Sequence, residues 1–342
     1  MNQYLMTLTP MEPYFFGNEK TFKYPGQKVG DQSNRYYIKS EFVPAQTTLI
    51  GTLRYILLPV KKNFKEYNED DLALNASVVG ERSFQYGCSN KFGKIIEISP
   101  LFLLKDDEKL VVTPFDHING KEKYTPFSSY KKTDDGNHLY PAEFNAKNGV
   151  SRSYMSITDT EHKIYEHKSI FTKEIRVGLN RFVKDKGFYK KEYVKLKEGF
   201  SFAVYVTLED DVVPKDAIVF MGQGRSLFNA KFKKVEDVED SYQNLLKKIG
   251  CCLREDVVYC FADAFVKSDI YEKTLFAATD TRDYRAYTTE AGKIRKDSVL
   301  YKNICAGSIF IPKDKEFVKL FEDKNVALIG YNSVITRMEE IK

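Results

Sequence analysis

Alternation of apolar and polar positions dominates this chain, and a 3.6-residue period interrupts it in only a few places. Residues 3–9 carry a strand pattern. Pro10 and Pro13 fix φ and push their neighbours toward extended geometry, so the aromatic stretch up to Phe16 reads as a stiff loop. Leu49, Leu53, Ile56 and Leu57 then recur at i, i+4, i+7 and i+8, which predicts a helix opening at Thr47 or Thr48 and running to 58. Gly51 lies inside it at a cost of about 1 kcal/mol relative to Ala, which predicts a packing or close-approach role. Residues 17–35 read as a long exposed loop and 61–71 as a solvated charged connection. Strand patterns follow at 95–98, 101–104 and 110–112, with Lys105-Asp-Asp-Glu108 as a hairpin tip. Further strands are expected at 173–179, 193–196 and 200–208. Those at 218–221 and 227–232 flank the Gly222-Gln-Gly224 turn, and others lie at 257–266, 274–278, 299–311 and 326–335. Tyr242, Leu245, Leu246 and Ile249 mark a helix over 238–249, and Phe317, Leu320 and Phe321 a short one.

Residues 114–170 lose this periodicity and carry the turn signals Asn119-Gly, Asp135-Gly-Asn and Asn148-Gly. So long an irregular stretch predicts an exposed insertion that docks a partner or a ligand. Strand-helix-strand-strand order in each half favours α+β with antiparallel sheets. Two ferredoxin-like βαββαβ units would fit, over 1–200 with the insertion and over 201–342. No strong internal repeat supports that duplication independently.

Composition narrows the function classes. The 42% hydrophobic and 30% charged content is that of a globular chain. A net charge of +5, from 53 basic and 48 acidic residues, is too mild to prove a nucleic-acid partner, so an RNA footprint must come from local clustering. The 23 Tyr and 25 Phe suit sheets and leave rings for base stacking, although core packing is the commoner use of any one ring. Five cysteines without a C-x-x-C pair read as buried reduced thiols. The N-terminus lacks a signal-peptide pattern and no apolar run spans a bilayer, so a cytoplasmic location without a membrane contact is expected.

Catalytic signatures do not emerge. His117, His138, His162 and His167 all fall in the irregular region and are expected as exposed loop residues. The paired acids at 70–71, 106–107, 134–135 and 210–211, and Asp280-Thr-Arg-Asp283, read as turns. Gly222-Gln-Gly224-Arg225 precedes a strand, which excludes a dinucleotide fingerprint. Its glycines serve a hairpin turn equally as well as a phosphate, with Arg225 as the pairing cation. Residues 173–195 interleave Lys173, Arg176, Arg181, Lys184, Lys186, Lys190 and Lys191 with Phe182, Phe188 and Tyr189. That text suits a single-stranded RNA groove, and equally a solvated basic hairpin. Gln46, Thr47 and Thr48 open a helix, where free N–H groups favour phosphate and ordinary threonine capping is the alternative. Arg54 reads equally as an RNA contact and as a helix-end charge. No cofactor or metal set is expected.

Four separated blocks carry a family resemblance: Leu8-Thr-Pro-Met-Glu-Pro-Tyr-Phe-Phe16 with Phe42-Val-Pro-Ala-Gln-Thr-Thr-Leu-Ile-Gly-Thr-Leu-Arg54; Glu174-Ile-Arg-Val-Gly-Leu-Asn180 with Gly199-Phe-Ser-Phe-Ala-Val-Tyr-Val206; Phe220-Met-Gly-Gln-Gly-Arg225; and Ala306-Gly-Ser-Ile-Phe310. Their order and spacing resemble the third subunit of the Cmr complex, the type III-B CRISPR RNA-guided effector, in the RAMP superfamily. Gln223 departs from the usual glycine spacing, and residues 60–170 contribute no match. The Pro10-x-x-Pro13 start favours type III-B over the equivalent III-A subunit.

The resemblance implies two RRM-like domains and a non-catalytic subunit that holds the 5′ tag of the crRNA. It implies contacts with the large polymerase-like Cmr subunit and the adjacent Cmr backbone subunit, and with target RNA only through the complex. Gln46, Thr47, Thr48, Arg54, Arg152, Lys173, Arg176, Asn180, Arg181, Gly222, Gly224 and Arg225 are the RNA-contact candidates. A metal-independent endoribonuclease processing precursor crRNA and a pure assembly scaffold are the competing classes.

Overall fold

The computed structural model describes residues 1–17, 21–23, 36–134, 136–144, 149–150, 152–180, 187–285, 287–290, 293–296 and 299–337. Its centre is the strand Phe200–Leu208, which pairs antiparallel with Asn2–Pro10 on one side and with Phe102–Lys105 and Ile95–Ile98 on the other. Asn2–Pro10 leads on to Ser226–Lys234 and the edge strand Ala217–Met221. Phe102–Lys105 leads through Glu108–Val112 to Ser153–Ser156 and Ile164–Glu166, completing nine antiparallel strands. Pairing therefore runs across residue 200, where the central strand begins.

The central strand reads as a near-continuous apolar run because both its faces are buried. Phe202, Val204 and Val206 point to one core with Met6, Leu8 and Tyr14, covered by the helix Gln46–Leu57 through Leu49, Leu53 and Ile56. Burying each such aliphatic side chain is worth about 1.5–3 kcal/mol. Ala203 and Tyr205 point to a second core with Phe102, Met155 and Tyr259, covered by the helix Tyr242–Cys252 through Leu245 and Ile249. A four-stranded sheet of Thr274–Ala278, Ile309–Pro312, Val258–Cys260 and Val334–Ile335 closes that side. This is an α+β fold with antiparallel sheets and packed helices, as expected.

Several local expectations fail for physical reasons. Gly51 is exposed and a Cβ there would meet nothing within 4 Å, so no close approach explains it. The helix Glu69–Val79 falls in text read partly as a charged connection; it buries only Asn75 and Val79, so it has no apolar stripe, and an Asn68–Asp71 capping box defines its start. The expected strand 299–311 breaks into Tyr301–Ile304 and Ile309–Pro312 around Gly307, which adopts a φ of +93°. The expected strand 326–335 holds the short helix Lys324–Ala327 and only Val334–Ile335 as strand.

The 114–170 segment is not a detached insertion. It supplies two strands to the main sheet, and Phe115, Phe127, Met155 and Ile157 are buried. His117 is buried, and its Nδ1 accepts the Thr125 N–H, so it is no exposed loop histidine. Cys260 and Cys305 are buried, Cys251 and Cys252 half-buried, and Cys88 exposed, against the expectation for that last thiol. Among the described residues no helix is long and apolar enough to cross a membrane.

Candidate nucleic-acid interface

Phe171–Asn180 and Gly187–Leu196 form a long antiparallel hairpin, and Tyr36–Lys39 adds a parallel strand to it. Residues 171–196 contain eight Lys or Arg and three Asp or Glu, a net +5 that equals the charge of the whole chain. The rest of the protein is therefore neutral overall, and the hairpin is where the electrostatic footprint concentrates.

Strand alternation gives the hairpin two faces. One carries Glu174, Arg176 and Gly178 opposite Tyr193, Lys191 and Tyr189. The Arg176 guanidinium lies 4.4 Å from the Tyr193 ring centroid, and Tyr193 is 5.6 Å from Phe15. Lys191 sits 5.4 Å from the Phe15 ring and 5.6 Å from the Tyr189 ring. Phe15 is buried and backs Tyr193, so Tyr193 and Tyr189 with the cations form the accessible ladder, of the kind on which bases stack and phosphates pair. Arg176 is 46% exposed and holds Glu174 at 2.7 Å.

The Gly222–Arg225 turn docks beside this ladder, since Gln223 N–H donates to the Phe15 carbonyl at 3.1 Å. Gly222 has a φ of +74°, and a Cβ there would overlap the Phe15 carbonyl oxygen. Gly224 does not adopt a positive φ. Arg225 does, at +51°, and its guanidinium lies 5.0 Å from the Phe220 ring, which is 56% exposed. A left-handed arginine is uncommon, and here it closes the turn, its N–H donating to the Gly222 carbonyl at 3.1 Å.

The opposite face leads elsewhere. Lys173 pairs with the buried Glu192 at 2.9 Å and lies 5.1 Å from the Phe42 ring, which packs on His167 at 4.7 Å. Phe42 and His167 line a cavity of about 90 Å³ with Gln46, Arg152, Tyr154, Asp263 and Arg282. Burial first, then the charges of Arg152 and Lys173, push His167 down to about 4, so its imidazole is neutral at pH 7. Arg282 bridges Asp263 at 3.2 Å and Glu41 at 3.5 Å. Arg152 pairs with Asp280.

The expected residues thus divide. Arg176, Gly222 and Gly224 gather around Phe15 and Tyr193, with Arg225 in the same turn over Phe220, while Gln46, Arg152 and Lys173 gather around the cavity. Gln46 is buried, with its Nε2 donating to the Ser99 carbonyl at 2.9 Å. Its helix is capped by Ala45 without a side-chain hydrogen bond, which corrects threonine capping: the Thr48 N–H donates to the Ala45 carbonyl. Arg54 serves the fold, donating to the Val79 carbonyl at 2.7 Å and the Gly80 carbonyl at 2.8 Å. Asn180 ends its strand opposite Gly187, and Arg181, Phe182, Lys184 and Lys186 lie outside the described residues.

Phe15, Tyr193, Asp263, Asp280 and Arg282 were not foreseen as site residues. Asp280-Thr-Arg-Asp283 reads as a turn, yet Thr281–Tyr284 is a strand paired with Tyr301–Ile304. The Ala306-Gly-Ser block supports both aspartates: Ala306 N–H donates to Asp263 Oδ1, and Ser308 Oγ accepts the Asp280 N–H.

A family model described as CRISPR-associated protein (Cas_Cmr3) matches residues 6–275. No curated protein matches the chain. Among solved structures, a chain of the cryo-EM structure of the type III-B Cmr-beta bound to cognate target RNA is similar at a TM-score of 0.53 and 14% identity, covering 98% of this chain and 96% of that one. A second structure of that assembly, with target RNA and AMPPnP, gives a TM-score of 0.52 at the same identity and coverage. That likeness concerns the fold, and the family match covers 270 of 342 residues. The chain belongs to the Cas_Cmr3 family of CRISPR-associated proteins, the RAMP subunits of type III-B (Cmr) effector complexes.

Proposed function

We propose that this chain is a non-catalytic RNA-binding subunit that holds the 5′ tag of the crRNA at one end of a type III-B effector complex. In this reading it bridges the large polymerase-like subunit to the adjacent backbone subunit, and target RNA meets it only through guide pairing. The observation that carries the reading is the hairpin: it has the chain's full net charge, and one face alternates cations with the half-buried Tyr193 and Tyr189. Splayed single-stranded RNA suits such a face, because every base has a π surface and every phosphate a cation within reach. The similar Cmr-beta assembly is one bound to cognate target RNA, which supports an RNA partner.

Salt-titrated binding of tag RNA tests this. Arg176→Ala and Arg225→Ala should each lower the single-strand salt slope by about 0.7 and weaken binding with little sequence preference. Unchanged slopes with lowered folding stability would assign both arginines to the fold instead.

One observation favours a second reading. His167 is a neutral imidazole lining a cavity that also holds the Arg152 guanidinium, so a proton acceptor and a cation share one space. Site-specific cutting of repeat RNA by the purified chain, lost in His167→Ala, would establish the metal-independent nuclease.

A further inference from the structure

Arg152 is held differently from the arginines that serve the fold. Arg254 grips Asp256 through two contacts, Nε–Oδ1 at 3.1 Å and Nη2–Oδ2 at 2.7 Å, and also donates to the Phe127 carbonyl. Among the described residues, Arg152 meets Asp280 through a single contact, Nη2 to Oδ2. A guanidinium is built for a two-pronged acceptor, so this single contact leaves its fork incomplete. Arg152 is 41% exposed and lines the cavity, whereas Asp280 does not line it. The cation therefore reaches the cavity while a carboxylate holds it from the side.

Asp280 itself is fixed in place. Its N–H donates to Ser308 Oγ at 3.3 Å, its carbonyl accepts the Cys305 N–H at 2.8 Å, and its Oδ1 accepts the Thr281 N–H at 2.7 Å. One carboxylate thus collects a backbone N–H and a guanidinium, the donor set that a phosphate oxygen pair would take. Around the same cavity lie Arg282 and His167, with Lys173 close enough to depress the imidazole.

We propose that the Asp280 carboxylate is a built-in stand-in for a phosphate: it holds Arg152 at the cavity mouth in the free chain, and an RNA phosphodiester takes its place on binding. Asp280 is then an internal competitor of RNA, and this inference rests on the RNA-binding reading above. Removing its charge strengthens RNA binding, the opposite of what losing a structural ion pair does. Half-exposed pairs of this kind are weak, so the gain is about two- to fivefold.

The test is a double-mutant cycle on the full chain, read by fluorescence anisotropy with a labelled single-stranded RNA octamer at fixed salt. Asp280→Asn should tighten binding about two- to fivefold, Arg152→Ala should weaken it, and the double variant should bind like Arg152→Ala alone. Asp280→Ser, which keeps a hydrogen-bonding group for the Thr281 N–H, repeats the first arm from a second side chain, and thermal unfolding of each variant runs beside it. A gain that persists without Arg152 would be a general charge effect and would overturn the proposal, as would no gain in either Asp280 variant. If the wild type does not bind the octamer at all, the RNA reading falls as well; if it binds and only the Asp280 gain is missing, this inference falls alone.

Discussion

Replacing Gly178 with Ala asks whether the hairpin carries a stacking surface. Gly178 lies opposite Tyr189 in the ladder, and a Cβ on it would overlap the Tyr189 ring at Cζ, Oη and Cε1. The ring is the far end of a rotatable side chain, so the ring leaves and the backbone stays. For folding, replacing a strand glycine gains about 0.5–1 kcal/mol. Losing the Lys191 contact to that ring, 5.6 Å from its centroid, costs about the same at an exposed site. Net stability should change by less than about 1 kcal/mol. RNA binding should respond more strongly, because a ring that stacks a base is worth about 1–3 kcal/mol, or roughly 5- to 150-fold in Kd. Anisotropy with single-stranded RNA reads the second effect and thermal unfolding the first, with Tyr189→Ala expected to match Gly178→Ala. Wild-type affinity in both variants would refute the stacking role of this face.

Other expectations follow from the same geometry. Gly222→Ala should destabilise the fold by about 2 kcal/mol or more, because φ is +74° and the added methyl meets the Phe15 backbone, whereas Gly224→Ala meets Tyr193 and Ser226 at 3.6–3.7 Å and should be tolerated; equal melting temperatures would contradict this. Gly51→Ala should stabilise by about 1 kcal/mol in denaturant unfolding, since the added methyl meets nothing, and no gain would count against the exposed helix described. Burial raises Asp116 to about 6, so its stabilising contribution is present below pH 4 and lost as pH rises through 6, while burial and then Arg152 and Lys173 depress His167 to about 4, so its contribution is present above pH 6.5 and lost as pH falls through 4. The Asp116 and His167 shifts, each worth roughly 3 kcal/mol, oppose one another between pH 4 and 6.5, and burial depresses His117 in the same sense as His167, so the wild type should lose stability toward acid, Asp116→Asn should lose more and His167→Phe less; a wild-type slope that neither variant alters would contradict this.

Much of the architecture is legible from periodicity where one face is buried. The Gln46–Leu57 helix and the hairpin of Phe102–Lys105 with Glu108–Val112 stand within a residue or two of their expected places, because apolar spacing and turn chemistry agree there. The Glu69–Val79 helix is illegible by that rule: Leu72 and Leu74 are exposed, and only its capping box announces it. The 114–170 text misleads because short strands such as Ile164–Glu166 are too brief to show a period, yet they extend the sheet. At the candidate interface the basic cluster is readable, but its division between two faces is not. That depends on the Arg176–Lys191 register, which seats Tyr193 against Phe15 from a distant loop. Asp280 and Arg282 look like turn residues until strand pairing carries Arg282 to the cavity and sets Asp280 against Arg152.

The most direct test of the account is photocrosslinking of a guide RNA carrying 4-thiouridine through its 5′ tag in an assembled type III-B complex. The account predicts tag crosslinks to this chain at residues 187–196 and at the 220–225 turn, reduced by Arg176→Ala and Arg225→Ala. Tag crosslinks that fall on other subunits, or on surfaces of this chain away from the hairpin, the turn and the cavity, would contradict it.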